Sequence, residues 1–390
     1  MQTEAFTEAR WGDLVRAPEG YWAFVPRPLP PEIALNWALA ERLVVAERKL
    51  ARLAGLAYHI SNPYALTGPM LRKEAVLSSR IEGTQASLTD LFQFEAGAQP
   101  KEKPSDVQEV SNYVTALEYG LKRMGTLPVS LRLFNELHER LMQGMGGHVT
   151  PGEFRRSQNW IGRPGCTLND ATYVPPPVME MKQALGELEK FIHNKSELPA
   201  LVRLALVHYQ FEAIHPYVDG NGRVGRLLIT LLLCEQNLLP HPFLYLSAFF
   251  EQHRDEYYRL LLAVSHGGEF SAWIDFFLRG VAEQSDDATR RTDALMKLKA
   301  EYTAKLQAAR ASALPLRLLE ALFDRPVTTV RQTQLLLKVT SRGASLVINK
   351  LIGGDVLQER PANGRRRVFV AHEILRLMEA DSMAAFPEGS

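Results

Sequence analysis

Two apolar helical runs joined by a twelve-residue loop constrain this chain more than any other feature. ALVRLALVHYQFEAI (200–214) and LLITLLLCEQNLL (227–239) both carry helix patterns, and HPYVDGNGRVGR (215–226) connects them. The same periodicity recurs upstream. Leu35, Leu39, Leu43, Ala46, Leu50 and Leu53 fall at steps of 4, 4, 3, 4 and 3, one face of a helix. MLRKEAVLSSRIEG (70–83) continues helical and stops at Gly83, a plausible C-cap. Breaks are expected at SNPYALTGP (61–69) and at AGAQPKEKPSD (96–106). From Val107 to about Leu278 the pattern is mostly helical. GGHVTPGEFRRSQNWIGRPGCTLNDATYVPPP (146–177) interrupts it as a hairpin-bearing insertion.

With 390 residues the chain has length for two or three domains, and 46% hydrophobic against 23% charged residues is ordinary for a globular protein. The expected order is an N-terminal helical region (1–106), a helical core (107–280), a connecting helix (281–312) and a small domain (313–372). Lys and Arg number 45 and Asp and Glu 44, for a formal charge of +1, which excludes a wholesale polycation. Cys166 and Cys234 cannot make a disulfide framework or a four-cysteine zinc site, and read as free thiols in a reducing cytosol. The N-terminus has no apolar h-region, and the longest apolar run, Leu227 to Cys234 with Thr230 inside it, is 8 residues where a span needs about 20. A soluble, cytoplasmic chain without membrane contact is expected. His208, His241 and His253 show no metal-binding spacing.

The loop at 215–226 carries the chemistry. Closely spaced glycines let backbone N–H groups converge on an anion, and the following helix N-terminus adds its own free N–H groups and dipole. Arg223 and Arg226, three residues apart, can grip one phosphate chain. Asp219 is a hard oxygen ligand suited to Mg²⁺ between phosphates. His215 can take a proton near neutral pH. Base, metal ligand, phosphate nest and cationic clamp are the parts that phosphoryl or nucleotidyl transfer needs. No Walker A loop and no kinase signature is present.

This segment resembles the signature of the Fic family, His-Pro-Phe-x-Asp/Glu-Gly-Asn-Gly-Arg-x-x-Arg, with Tyr217 where Phe is usual. The resemblance extends over roughly residues 20–280. It implies adenylyl transfer from ATP to a hydroxyl side chain of a protein target or of the chain itself, with pyrophosphate leaving. Carried over by position, His215 is the base and Asp219 holds Mg²⁺. Gly220, Asn221, Gly222 and Gly225 belong to the nucleotide loop, with the Asn221 amide near the α-phosphate. Arg223 and Arg226 bind the phosphate chain, Arg226 towards the γ-phosphate. ATYVPPP (171–177) resembles the family's flap, which aligns a target by strand addition, with Tyr173 and Val174 as flap positions. LYLSAFFEQHRDEYYRLL resembles the helical segment after the motif, with Tyr257 and Tyr258 near adenine. Two adjacent tyrosines on an amphipathic helix fit a core or rim equally well. Gln210 and Gln252 are further candidates for nucleotide contact.

Ser78-Ser79-Arg80-Ile81-Glu82-Gly83 resembles the family's inhibitory motif, Ser/Thr-x-x-x-Glu-Gly/Asn, in the class that carries its inhibitory helix N-terminal to the core. Ser78 and Glu82, four apart, share one helical face. The resemblance implies that Glu82 pairs with Arg226 and spoils the pose of ATP.

Residues 314–370 read as a winged helix: three short helices, then two strands around an Asn363-Gly364 turn. Ten basic residues against four acidic ones give about +6 there, which fits a phosphate-facing patch with Arg365, Arg366 and Arg367 on the wing. Winged helices also dock proteins, so DNA or a protein remains open as partner. The fold expected is mainly α, a Fic helical core with a β-hairpin flap, an N-terminal helical region and a winged helix. The function expected is a self-inhibited protein adenylyltransferase. The alternative is a DNA-binding regulator whose Fic part senses nucleotide. The target and a homodimer are left open.

Overall fold

The structure is a computed structural model that describes the chain except residues 2, 35, 59, 61–63, 98–101, 147–148, 164, 310–311, 361–366 and 380–390. Leu35 of the expected helical stripe, parts of both expected breaks, and Asn363, Gly364, Arg365 and Arg366 of the expected wing therefore lie outside the described residues. Among the described residues the fold is mainly α, as the periodicity requires. No helix among them is long and apolar enough to cross a membrane.

The elements run β1 (Gly12–Arg16), β2 (Trp22–Pro26), α1 (Trp37–Tyr58), α2 (Tyr64–Ile81), α3 (Leu88–Glu95), α4 (Pro104–Arg123), α5 (Leu131–Leu141), α6 (Val178–His193), α7 (Ala200–Ile214) and α8 (Asn221–Glu235). They continue with α9 (Ser247–Gln252), α10 (Arg254–Gly267), α11 (Phe270–Ala308), α12 (Ala313–Asp324), β3 (Val327–Thr328), α13 (Val330–Leu337), α14 (Ser341–Gly353), β4 (Gln358–Arg360), β5 (Val368–Val370) and α15 (His372–Glu379). Among its described residues, the insertion at 146–177 contributes one antiparallel bridge, Ile161 to Tyr173, and one short 3₁₀ turn at Leu168–Asp170. Its Gly, Pro and Asn content gives the backbone too few consecutive extended residues for a longer ladder.

The chain divides into two compact units. The first comprises Met1–Ala51, Thr115–Leu239 and Leu246–Gln284. At its heart is α7, apolar nearly all round and buried from Leu201 to Ile214 but for Arg203 and Glu212, as a helix without a polar face must be. The α8 helix is buried almost as completely. The Trp273 indole N–H on α11 donates to the Ala205 carbonyl at 2.8 Å, which satisfies the polar handle of a fully buried ring. Strands β1 and β2 form an antiparallel hairpin in the register Leu14 to Phe24. Phe24 packs on Phe6 and Tyr173.

The second unit comprises Arg52–Val114, Pro240–Tyr245 and Ser285–Ser390. The Arg72 guanidinium, 2% exposed, ties α2 to α3 through both Glu95 oxygens at 2.8 and 2.9 Å and reaches the Gly68 carbonyl at 3.1 Å. A buried cation is tolerated when it is paired in this way. Helix α2 ends in a Schellman cap: Thr84 N donates to Ser79 O at 3.2 Å and Gly83 N to Arg80 O at 2.9 Å. Gly83 has φ +106°, open to a residue without Cβ, so the expected C-cap glycine is there for a steric reason. Further on, β3, β5 and β4 form a three-stranded antiparallel sheet whose strands alternate along the chain with α13 and α14 after α12.

Candidate active site

All of the nucleotide-loop candidates lie in the first unit. Helix α7 stops at Ile214, and His215 follows with φ 49° and ψ 61°, the left-handed region that non-glycine residues adopt only when held there. Arg155 does much of the holding. Its Nε donates to the His215 carbonyl at 3.1 Å, its backbone N to the Pro216 carbonyl at 2.9 Å, and its other guanidinium nitrogens to the Ser157 and Pro176 carbonyls. Burial pushes its pKa down to about 10, so it stays charged at neutral pH. Asn159 Nδ2 adds bonds to the carbonyls of His215 at 3.3 Å and Tyr217 at 2.7 Å.

The loop is closed from its far end by Asn221. Its Oδ1 accepts from Tyr217 N and its Nδ2 donates to Tyr217 O, both at 2.8 Å. The Tyr217 ring is fully buried, its hydroxyl donates to Asn135 Oδ1 at 2.9 Å, and it stacks on His138 with centroids 3.8 Å apart. His138 Nδ1 accepts from Gly152 N at 3.0 Å, so the ring proton sits on Nε2 and is donated to the Asp219 carbonyl at 3.1 Å.

The His215 ring is oriented by its own helix. Nδ1 lies 3.3 Å from the Glu212 carbonyl, and a carbonyl only accepts, so Nδ1 carries the proton and Nε2 presents a lone pair. Gly220 starts α8 with φ +79°, and no side chain caps that end. The first N–H groups of α8 are therefore not taken up by a side-chain cap, and the positive end of the helix dipole lies there. Asp219 is 60% exposed, with its Oδ1 2.6 Å from Gly220 N and 3.5 Å from Arg223. Arg223 and Arg226 are buried, at 4% and 2% exposure. Gly222 is half-buried at the start of the helix.

Gly225 lets α8 approach α7: a Cβ there would stand 2.3 Å from Glu212 Oε1. Its carbonyl accepts from His208 Nδ1 at 3.2 Å, which leaves His208 Nε2 to accept the Tyr257 hydroxyl at 2.8 Å. Burial, and secondarily the charge of Arg226, holds His208 down to about 3, hence neutral. Tyr257 is thus a core residue, stacked on Phe250 at 4.6 Å, and Tyr258, 37% exposed, is the one at the rim. Gln210 is buried and its Nε2 donates to the Arg27 carbonyl at 2.9 Å, whereas Gln252 is exposed at the end of α9.

Tyr173 and Val174 are both buried. Tyr173 exchanges both backbone bonds with Ile161, at 2.8 and 3.0 Å, and its hydroxyl donates to the Ala213 carbonyl at 2.8 Å. The Val174 carbonyl accepts from Phe24 N at 2.9 Å. The backbone groups of these two flap positions are therefore largely committed within the chain. In the second unit, Ser78 is buried inside α2, while Glu82 is exposed and sits one residue past the helix, in the cap itself. The shared helical face expected for the pair ends at Ile81.

The loop's supports, His138, Arg155, Asn159 and Asn135, carry no signal in the sequence. Arg155 and Arg156 are neighbours, yet the first is 2% exposed and the second has an 85% exposed side chain paired with Glu153. His138 gives an acid-stability prediction. Burial lowers its pKa to about 4, with the neighbouring Arg223 a smaller contribution, while the unfolded value is about 6.5. The folded chain then binds one proton fewer between these values, so stability is full above about pH 6.5 and falls by about 1.4 kcal/mol per unit as pH drops towards 4. His208 acts with the same sign. Urea unfolding from pH 7 to 5 should show this slope, and His138→Gln should flatten it by one proton. An unchanged slope in that variant would contradict the assignment.

The Fic/DOC family N-terminal model matches residues 40–122 and the Fic/DOC family model residues 128–233, a stretch that includes the loop and its supports. Residues 40–122 and 128–233 are thus a Fic/DOC N-terminal region and a Fic/DOC domain. Among curated relatives, the protein adenylyltransferase Fic of Drosophila virilis is 33% identical over 171 residues, 43% of this chain and 30% of that one. The protein of the same name from Aedes aegypti is 31% identical over 169 residues, 42% and 28% of the two chains. The chain thus spans about 30% of the length of the curated relatives it matches. A Fic family protein from Desulfovibrio desulfuricans G20 shares the fold with a TM-score of 0.57 at 19% identity, over 88% of this chain and 98% of that one. Fic-1 from C. elegans follows with a TM-score of 0.51 at 23% identity, over 67% and 74%.

Proposed function

We propose that this chain transfers AMP from ATP to a serine, threonine or tyrosine hydroxyl of a protein, with release of pyrophosphate. The observation that carries the reading is the caged loop: His215 strained at the end of α7, its Nδ1 fixed by Glu212, next to an uncapped α8 N-terminus. His215 Nε2 takes the proton of the acceptor hydroxyl. The hydroxyl oxygen forms a bond to the α-phosphorus, and the bond from that phosphorus to the bridging oxygen of pyrophosphate breaks. The product is a phosphodiester, and His215 holds the proton until it returns to solvent. The α8 N–H groups and Arg223 offset the charge that develops on the phosphates, and Arg226 serves the far end of the chain. Gly220, Gly222 and Gly225 let the backbone come close. The Asn221 amide keeps the loop shut through Tyr217 and so sets where the α-phosphate lies. Tyr258 at the rim is the candidate for the adenine face, whereas Tyr257 is engaged in the core by His208 and Gln210 by the Arg27 carbonyl.

Mg²⁺ fits this donor set as an ion that arrives with the nucleotide. Among the described residues no group of three His, Cys, Asp or Glu could hold a metal. One exposed carboxylate, Asp219, suffices for an ion that keeps its waters and takes its other ligands from phosphates. Bound there, it would neutralise phosphate charge.

For the protein target, the flap reading needs an open strand edge. With Tyr173 paired to Ile161 and the Val174 carbonyl to Phe24, exposed Thr172 offers that edge.

We read Ser78 and Glu82 as inhibitory on the motif resemblance, with one local observation in support. A carboxylate at a helix C-terminus opposes the macrodipole at a cost of about 0.3–1 kcal/mol, so Glu82 stands where helix stability disfavours it. Residues placed against local preference are commonly functional. We also read residues 313–372 as a winged helix, supported by the order α12, β3, α13, α14, β4, β5 and the β3-β5-β4 sheet.

The test is incubation of the purified chain with Mg²⁺ and ATP labelled at the α-phosphate. The reading predicts label covalently held on a hydroxyl side chain. A chain that binds ATP and leaves every protein unlabelled would refute it.

A further inference from the structure

We propose that the outer face of α14 reads the major groove of duplex DNA, an activity independent of adenylyl transfer. The α13 helix ends at Lys338 in the left-handed region, and α14 begins after Thr340, whose side chain accepts from Gly343 N at 3.2 Å. Two helices joined by this three-residue turn make a helix-turn-helix unit. The inner face of α14 is spent on the core through Ala344, Val347, Ile348 and Leu351. Its outer face carries Arg342, Ser345, Leu346, Asn349 and Lys350, spaced 3, 1, 3 and 1, which is a single helical stripe. Arg342, Leu346, Asn349 and Lys350 are exposed, Leu346 at 64%.

The chemistry of this stripe matches base edges. Arginine suits guanine, asparagine suits adenine, and an apolar side chain suits the thymine methyl group, while the groove is wide enough for one helix. Charge selects DNA over a protein partner. From Val330 to Gly353 there are four cations, Arg331, Lys338, Arg342 and Lys350, and no carboxylate. All four are exposed, and among the described residues none is ion-paired. The expected wing contact is different. Arg367 is bound by both oxygens of Glu359 across the β4–β5 pair, and its guanidinium lies 5.4 Å over Phe369. Arg367 is thus engaged within its own sheet, and phosphate contact falls to the cations of α13 and α14.

The experiment uses the full chain and a fluorescent mixed-sequence duplex of about 30 base pairs, followed by anisotropy from about 50 to 200 mM salt. Retention should weaken with a log–log slope of about −3 to −4, as four phosphate contacts require. The double variant Arg342→Gln, Lys350→Gln should make that slope shallower by about 2. Asn349→Ala should leave the slope alone but lower preference for the sequence that the wild type selects from a random duplex pool by about tenfold. Circular dichroism on these exposed-residue variants verifies folding. No retention at the lowest salt would overturn the proposal, as would an unchanged slope in the folded double variant. If the exposed leucines Leu335 and Leu346 dock a protein instead, the wild type gives no salt-dependent retention and the proposal fails in the same way.

Discussion

His215→Ala should lower adenylyl transfer by about 10²–10⁴-fold, the usual worth of a positioned general base, while ATP affinity stays close to wild type. The two effects separate because the roles do. His215 Nδ1 is occupied by the Glu212 carbonyl, so the ring offers only Nε2 to the reaction. The α8 N-terminus and the two buried arginines are untouched by the substitution. The loop should also survive it, since its cage acts through backbone carbonyls: Arg155 and Asn159 bond the His215 carbonyl, not its ring. Alanine tolerates the left-handed backbone no better than histidine, so a stability loss of about 1 kcal/mol or less is expected. Single-turnover transfer and nucleotide titration on the same preparation check both halves. Near wild-type transfer would remove His215 as the base.

Glu82→Gly should raise auto- or target adenylylation at least tenfold, equivalent to about 1.4 kcal/mol. The expectation rests on the motif and on the odd position of this carboxylate, exposed in the cap of α2. On the inhibitory reading proposed above, removing it relieves the misplacement of ATP. A pose displaced by about 1 Å is enough to cost about 10²-fold in rate. Helix α2 should hold, because its cap is made by Gly83 and Thr84 and its core by Ser78 and Ile81. Arg226→Ala should not imitate the gain, because the same side chain is proposed to bind the phosphate chain. Initial rates of label incorporation measure this. A folded Glu82→Gly variant no faster than wild type would reduce Glu82 to a helix-end residue.

The helices and the loop were legible from sequence because their signals are local. Periodicity places α1, α7 and α8, and Gly83 marks its cap by φ alone. The three helices and two strands after Leu314 also follow from spacing and turn residues. The first 30 residues read only as mixed, because the β1–β2 hairpin takes part of its support from Val174, about 150 positions away. The supports of the loop are hidden for the same reason. His138 bonds a carbonyl 81 residues distant, and nothing on its own amphipathic helix distinguishes it from a surface histidine. Arg155 differs from Arg156 only in which way the backbone turns. The long α11 shows the converse case. Residues 281–308 are good helix formers, and the helix simply continues from Phe270, where composition suggested a separate connecting helix.

The most direct measurement supplies the Glu82→Gly variant with Mg²⁺ and ATP labelled at either the α- or the γ-phosphate. Transfer of AMP predicts α-label retained on protein under denaturing conditions, γ-label released as pyrophosphate, and both lost in the His215→Ala, Glu82→Gly double variant. Retention of γ-label, or no label from either position, would contradict it.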